Sequence, residues 1–80
     1  MPLEIIVVLR NTHEAIMGER KLLDSGLDVR VMPMPRQLGP GCGMALRIDP
    51  GDFEKTRELL GETIRGLYRR AGEDFVPWNP

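Results

Sequence analysis

The 80-residue sequence has only one cysteine and one histidine, and aromatic residues make up 5% of it. A lone cysteine cannot form an internal disulfide, so a reduced thiol and a cytoplasmic protein are predicted. One histidine and one cysteine are too few ligands for a zinc site, so no metal is expected. These shortages exclude folds that rely on disulfides or on zinc for their stability.

The sequence also lacks an excess of either charge, with 11 Lys+Arg against 12 Asp+Glu and a formal net charge of -1. Proteins that bind nucleic acids or membrane surfaces carry a basic excess, so neither partner is predicted. The apolar run near the N-terminus is too short to span a bilayer. The segment GPGCG lacks the lysine and the hydroxyl residue of a phosphate-binding loop, so no cofactor is predicted.

The first half of the chain predicts a strand and then a helix. The nearly continuous apolar residues over 3–9 are typical of a strand that is covered on both faces. Asn11 or Thr12 is predicted to cap a helix that runs to Ser25, because apolar residues then recur on one stripe. Gly26 supplies the left-handed turn that commonly ends a helix.

Two strands and a second helix are predicted after this turn. Alternating apolar residues predict strands over 28–32 and 43–48. Asp49 is predicted to cap a helix with Pro50 at its first position, ending at Gly72. The apolar stripe of this helix consists of Phe53, Leu60, Ile64, Leu67 and Ala71.

This order of elements predicts an α+β fold, a ferredoxin-like βαββα sandwich with a three-stranded antiparallel or mixed sheet and two helices on one face. We expect one domain over 1–72 and a C-terminal tail over 73–80, which can add a short fourth strand. A right-handed crossover makes the first two strands parallel, with the third between them. The apolar first strand then lies at an edge, so the tail or a second subunit is expected to cover it, and a homodimer is predicted.

Cys42 lies between Gly41 and Gly43, at the end of a loop stiffened by prolines. The two glycines remove neighbouring side chains, so backbone and sulfur can approach a partner closely. We therefore predict an exposed functional thiol, although free cysteine is also among the most often buried residue types.

The predicted topology brings this thiol to the start of the first helix. The third strand runs antiparallel to the first, so Cys42 is expected near Thr12 and His13. The helix N-terminus and an imidazolium at His13 both favour a thiolate, which lowers the pKa of Cys42 from its usual value of about 8.5. The candidate ligand-binding residues are Thr12, Arg36, Gly41 and Gly43. As alternatives, His13 is simply solvated and Arg36 binds only carbonyl groups of its own loop.

These motifs resemble those of the putative Se/S carrier protein-like family over about residues 4–67. The family pattern is a hydrophobic strand, a Ser/Thr-Thr-His-Glu/Asp-Ala helix start, a Pro-x-Pro-Arg loop and a Cys-Gly pair. The corresponding residues are Asn11, Thr12, His13, Glu14, Ala15, Pro33, Pro35, Arg36, Cys42 and Gly43. The chain departs from the pattern where the family usually has serines before the cysteine, because it has Gly39, Pro40 and Gly41 there.

The resemblance implies a carrier rather than a turnover enzyme, in which Cys42 holds sulfur or selenium as a persulfide or perselenide. Donor and acceptor proteins are then the expected partners. Two alternatives stay open at this point. The loop is the clamp of a small-ligand or anion-binding regulatory module, or the protein is a dimeric interaction subunit with no thiol chemistry.

Overall fold

The computed structural model describes residues 4–38 and 43–79. The helices and strands are β1 (Ile5–Leu9), α1 (Thr12–Asp24), β2 (Val29–Pro33), β3 (Met44–Ile48), α2 (Phe53–Leu60), β4 (Ile64–Ala71) and β5 (Asp74–Pro77). Short 3₁₀ turns occur at Arg36–Leu38, Pro50–Asp52 and Gly61–Thr63. None of the helices in these ranges is long and apolar enough to cross a membrane.

The strands of the described ranges form one five-stranded sheet in the order β2-β3-β1-β4-β5, and all neighbours are antiparallel. The α+β class and the position of β3 between β1 and β2 are therefore confirmed. The prediction of a three-stranded sheet is wrong. Leu46 at the middle of β3 lies opposite Val7 on β1 and Val31 on β2.

The prediction that the first strand lies at a sheet edge is also wrong, because β1 is the central strand. The strand that covers this side of β1 is β4, which pairs with β1 from Ile5 to Leu9. Ile5, Ile6 and Val7 are fully buried. This explains the continuous apolar run of β1, since a central strand has no exposed face or edge.

The predicted second helix is correct only in its first half. α2 ends at Leu60, and residues 64–71 form β4 instead of further helical turns. Gly72, with φ +65°, belongs to the turn between β4 and β5. The tail does add a strand, β5, but it pairs with β4 as the fifth strand of the sheet.

Both helices pack on the face of the sheet that carries Val7 and Leu46. Gly18 of α1 is the point of closest approach, because a Cβ there would lie 3.2 Å from Leu9 and 3.3 Å from both Leu46 and Leu60. These leucines belong to β1, β3 and α2 respectively. One glycine thus lets α1 approach the sheet and the other helix together.

The C-terminal residues complete this core. The indole of Trp78 packs edge-on against Phe53 of α2, with 4.9 Å between ring centroids. Its backbone N–H donates to the Leu67 carbonyl over 3.0 Å. The end of the chain therefore holds α2 against the β4 side of the sheet.

The opposite face of the sheet is also covered in its middle, where Ile6 and Ala45 are fully buried. The turn at Arg36–Leu38 contacts β5, and the Gln37 amide donates to the Glu73 carbonyl over 3.3 Å. Because the helices occupy the other face, residues 34–38, which follow β2, cross the sheet on this one. Leu46 and Ile48 are buried, whereas Arg47 points away from the helices.

Candidate functional site

The start of α1 and the start of β3 lie at the same end of the sheet. Ala45 pairs with Val8 in the ladder between β3 and β1. Continuing this register by two residues brings Gly43 opposite Arg10, and α1 begins at Thr12, two residues further on. Gly43, at the described end of the cysteine loop, therefore lies at the same end of the sheet as the first turn of α1.

The first turn of α1 offers free backbone N–H groups. Asn11 is the cap, and its side-chain oxygen accepts the Glu14 N–H over 2.8 Å. The first hydrogen bond of the helix runs from the Ala15 N–H to the Asn11 carbonyl. The N–H groups of Thr12 and His13 therefore make no hydrogen bond to any described residue. Such unpaired groups, together with the helix dipole, favour a negative charge nearby.

Thr12 and His13 differ in their surroundings. Thr12 is half-buried where α1 meets the sheet, whereas the imidazole of His13 is exposed to solvent. No hydrogen bond or ion pair within the described ranges holds His13. The imidazole is consequently available to a group that approaches the first turn.

No described contact brings Arg36 close to Thr12 or His13. Its guanidinium is exposed and forms no ion pair within residues 4–38 and 43–79. The neighbouring Gln37 is bonded to Glu73, which lies at the end of the sheet where β1 begins. The other end of β1 leads into α1, roughly 15 Å away by the rise of a five-residue strand.

Cys42 and Gly41 lie outside the described residues, so their predicted positions are not tested by the structure. Gly43 is described, and its carbonyl accepts the Met34 N–H over 3.0 Å. The two chain segments that flank the loop are thus joined by the last bond of the β2–β3 ladder. No group of three His, Cys, Asp or Glu side chains within the described ranges is arranged to hold a metal.

Comparison with family models relates this chain to a known family. Residues 4–69 match the model described as putative Se/S carrier protein-like. The chain belongs to this family. No curated protein and no solved structure matches it. The matched segment begins one residue before β1 and ends inside β4, so the last strand and Trp78 of this member of the family lie outside the match.

The domain also has a charged pocket that was not predicted from the sequence. Its volume is about 180 Å³, and it lies at the end of the sheet where β1 begins. The residues that line it are Glu4, Asp28, Arg30, Arg47, Ile48 and Asp49. The signal was present in the alternation of β2, which places Asp28 and Arg30 on the same face.

Glu4 pairs with Arg47 of this pocket and with Arg70, which lies outside the pocket lining. Its two carboxylate oxygens lie 3.3 Å from Arg47 and 3.3 Å from Arg70. Arg30 lies directly opposite Arg47 across the β2–β3 ladder and forms no ion pair with a described residue. Like charges at directly opposed positions destabilise a sheet, so this pair favours an acidic group beside it.

Proposed function

We propose that the protein carries sulfur or selenium covalently on Cys42, as a persulfide or perselenide. The observation that supports this proposal is the family match over residues 4–69, which includes the Cys-Gly pair and the first turn of α1. We further propose a ferredoxin-like assignment for the fold, which rests on the order β1-α1-β2-β3-α2-β4 and on β3 lying between β1 and β2. A cytoplasmic location fits a protein that works through a reduced thiol.

The proposed chemistry is a transfer between thiols. The thiolate of Cys42 attacks the terminal sulfur of a donor persulfide, and the donor thiolate leaves. A nucleophilic acceptor then attacks the terminal sulfur on Cys42, and the Cys42 thiolate leaves in turn. The same steps apply to selenium, and neither step requires an external oxidant or reductant. The partners are therefore a donor protein and an acceptor protein.

The remaining candidate residues have supporting roles in this proposal. The N–H groups of Thr12 and His13, with the imidazole of His13, favour the thiolate that attacks and leaves. Gly41 and Gly43 leave room for a partner's sulfur beside Cys42. Arg36, which is exposed, holds an anionic group of the donor or acceptor.

The test is intact mass spectrometry of the folded protein after incubation with a persulfide- or perselenide-generating system. We expect a gain of one sulfur or selenium atom per chain, removed by a thiol reductant and located on Cys42 by fragmentation. The Cys42→Ser protein is the matched control and is expected to gain nothing. An unmodified wild-type chain, under conditions that load another carrier, would contradict the proposal.

A second candidate function is the binding of a small zwitterionic ligand at the charged pocket. Arg30 is exposed and lies opposite Arg47, while carboxylates of Asp28, Asp49 and Glu4 line the same pocket. A ligand with an anionic group for the arginines and a cationic group for the carboxylates, such as a free amino acid, complements both signs of charge.

This second candidate predicts saturable binding that depends on Arg30. In an NMR titration with glycine, the amide signals of β2 and β3 at the pocket are expected to shift in the wild-type protein. The Arg30→Ala protein is expected to bind at least about tenfold more weakly, because a charge-assisted hydrogen bond is lost. The Arg65→Ala protein, which lacks an exposed arginine outside the pocket, serves as the control. Equal shifts in all three proteins would rule the pocket out as a specific site.

A further inference from the structure

The outer edge of β2 is free. Within the described residues β2 has a hydrogen-bonded neighbour on one side only, which is β3. Hydrogen-bonded and non-hydrogen-bonded residue pairs alternate along an antiparallel ladder. The Met34 N–H donates to the Gly43 carbonyl, so Met34 belongs to a hydrogen-bonded pair, and every second residue before it in β2 also bonds to β3. Arg30 and Met32 point their backbone groups at β3. Val29, Val31 and Pro33 therefore point theirs outward.

The outward backbone groups allow the edge of β2 to pair with another strand. Pro33 has no N–H to donate, but its nitrogen faces outward, so the β2–β3 ladder loses nothing. The free edge presents the N–H groups of Val29 and Val31 and the carbonyls of all three outward residues. An unpaired row of this kind is a template for another strand.

The other edge of the sheet is less able to pair. The bond from Trp78 N–H to Leu67 O shows that Phe75 and Pro77 are the outward residues of β5. Since proline has no N–H, Phe75 is the single outward donor within β5. β2 is thus the better of the two edges for recruiting a strand.

An apolar flank on α1 lies beside the β2 edge. Gly18 contacts Leu60, so its side of α1 faces α2. The buried residues of α1 are Ala15, Gly18 and Leu22. Each residue of a helix is rotated by about 100° from the one before it, so Ile16 and Leu23 lie on the side of α1 that is away from Gly18 and α2. Both are 50% exposed. Because α1 packs over β2 and β3, this side of the helix is directed towards the free edge.

We propose that the β2 edge pairs with the β2 edge of a second copy of this chain, about a twofold axis perpendicular to the sheet at Val31. In this arrangement Val31 of each copy donates to and accepts from Val31 of the other. The Val29 N–H of each copy donates to the Pro33 carbonyl of the other, whereas the Val29 carbonyl receives no bond in return, because Pro33 has no N–H. The inference does not depend on the proposed carrier function.

The charges select this register. With the axis at Val31, Arg30 of each copy lies opposite Met32 of the other. An axis at Arg30 would place two arginines directly opposite each other, which is destabilising. An axis at Val29 would require the N–H of Leu27, which is already donated to a carbonyl in the last turn of α1. Among these three axes, the one at Val31 avoids both conflicts.

The same arrangement buries the apolar flank of α1. Strands lie about 4.8 Å apart, so a helix over the boundary between β2 and β3 is about 5 Å from the twofold axis. The two α1 helices are then about 10 Å apart, at the upper end of the distances of packed helices. Ile16 and Leu23 of both copies meet between them, which gives the strand pairing an apolar contact.

Sedimentation equilibrium of the full chain and of two Met32 variants tests the surface and the register together. We expect a wild-type dimer at micromolar to submillimolar concentrations. Met32→Glu places a carboxylate opposite Arg30 of the other copy at two symmetric positions, and is expected to tighten the dimer about tenfold. Met32→Lys is expected to weaken it by a similar factor. A reversed order of these variants would indicate the wrong register, since an axis at Arg30 places Met32 opposite Asp28.

Two further variants test the edge and the flank separately. Val31→Pro removes an outward N–H without removing a bond to β3, and is expected to yield a folded monomer by circular dichroism. Ile16→Lys is expected to weaken the dimer, whereas Met17→Lys is its control, because Met17 is 46% exposed on the solvent side of α1. A wild-type monomer over the whole concentration range overturns the proposal, as does a dimer that Val31→Pro and Ile16→Lys leave intact.

Discussion

Replacing Leu46 with alanine is expected to lower the free energy of unfolding by about 2–5 kcal/mol. Leu46 is fully buried at the centre of the sheet, opposite Val7 and Val31. Removing its side chain leaves a cavity that the sheet cannot close, since backbone pairing on both sides fixes the position of β3. A chain of 80 residues has a total stability of only about 4–12 kcal/mol, so the variant is close to unfolding.

Urea denaturation followed by the fluorescence of Trp78, the only tryptophan, measures this loss. Met44→Ala is the matched control, because Met44 is on the same strand and face but is more than one-third exposed. It is expected to cost about 1 kcal/mol or less. A similar cost for both variants would contradict the placement of Leu46 at the centre of the core.

A double variant makes the expectation more specific. Leu46 is one of the leucines that crowd the position of a Cβ at Gly18. Alanine at residue 18 gains about 1 kcal/mol of helix propensity over glycine, and in the Leu46→Ala background it also fills part of the cavity. Gly18→Ala is therefore expected to stabilise Leu46→Ala by more than it stabilises the wild-type protein. Equal effects in the two backgrounds would show that the two sites do not share this space.

The sequence predicted the first half of the fold because its patterns there are local. The run Ile5–Leu9 and the cap at Asn11 each specify their element without reference to distant residues. The structure places α1 and β3 within one or two residues of the predicted bounds. The position of β3 between β1 and β2 followed from the handedness of the crossover, which is a general rule of chain topology.

The second half was misread because a register shift in β4 imitates a helix. Ile64 and Leu67 are three residues apart, a spacing that puts both on one face of a helix but on opposite faces of a regular strand. The pairing of β1 with β4 shifts between Val8 and Leu9, where Arg65 is the extra residue. This irregularity lets both Ile64 and Leu67 pack against the core.

Only part of the site could be predicted from the sequence, for a similar reason. The position of Gly43 at the same end of the sheet as the first turn of α1 follows from strand order, which the local patterns determine. The charged pocket depends on Glu4 reaching Arg47 and Arg70, which lie on β3 and β4. No sequence spacing relates these three residues, and the pairing of Glu4 with Arg70 exists only because residues 64–71 form a strand.

Alkylation of Cys42 by iodoacetamide at pH 7 is expected to be about tenfold faster in the folded protein than in the urea-unfolded chain. Only the thiolate reacts, and a lowering of the thiol pKa by one unit from its usual value of about 8.5 raises the thiolate fraction about tenfold at neutral pH. The proposed cause in the folded state is the N-terminus of α1, where the N–H groups of Thr12 and His13 have no described partner. The rate should therefore reach half its maximum at a lower pH in the folded protein.

The His13→Ala protein separates the imidazole from the helix. We expect its rate profile to move to higher pH but to stay below that of the unfolded chain, because the backbone N–H groups remain. Arg20→Ala is the control, since it removes an exposed cation two turns further along α1. If Cys42 reacts only above pH 8.5, or only after unfolding, the thiol is a structural residue. The carrier proposal would then fail, because no other side chain among the 80 residues can hold sulfur or selenium covalently and release it again.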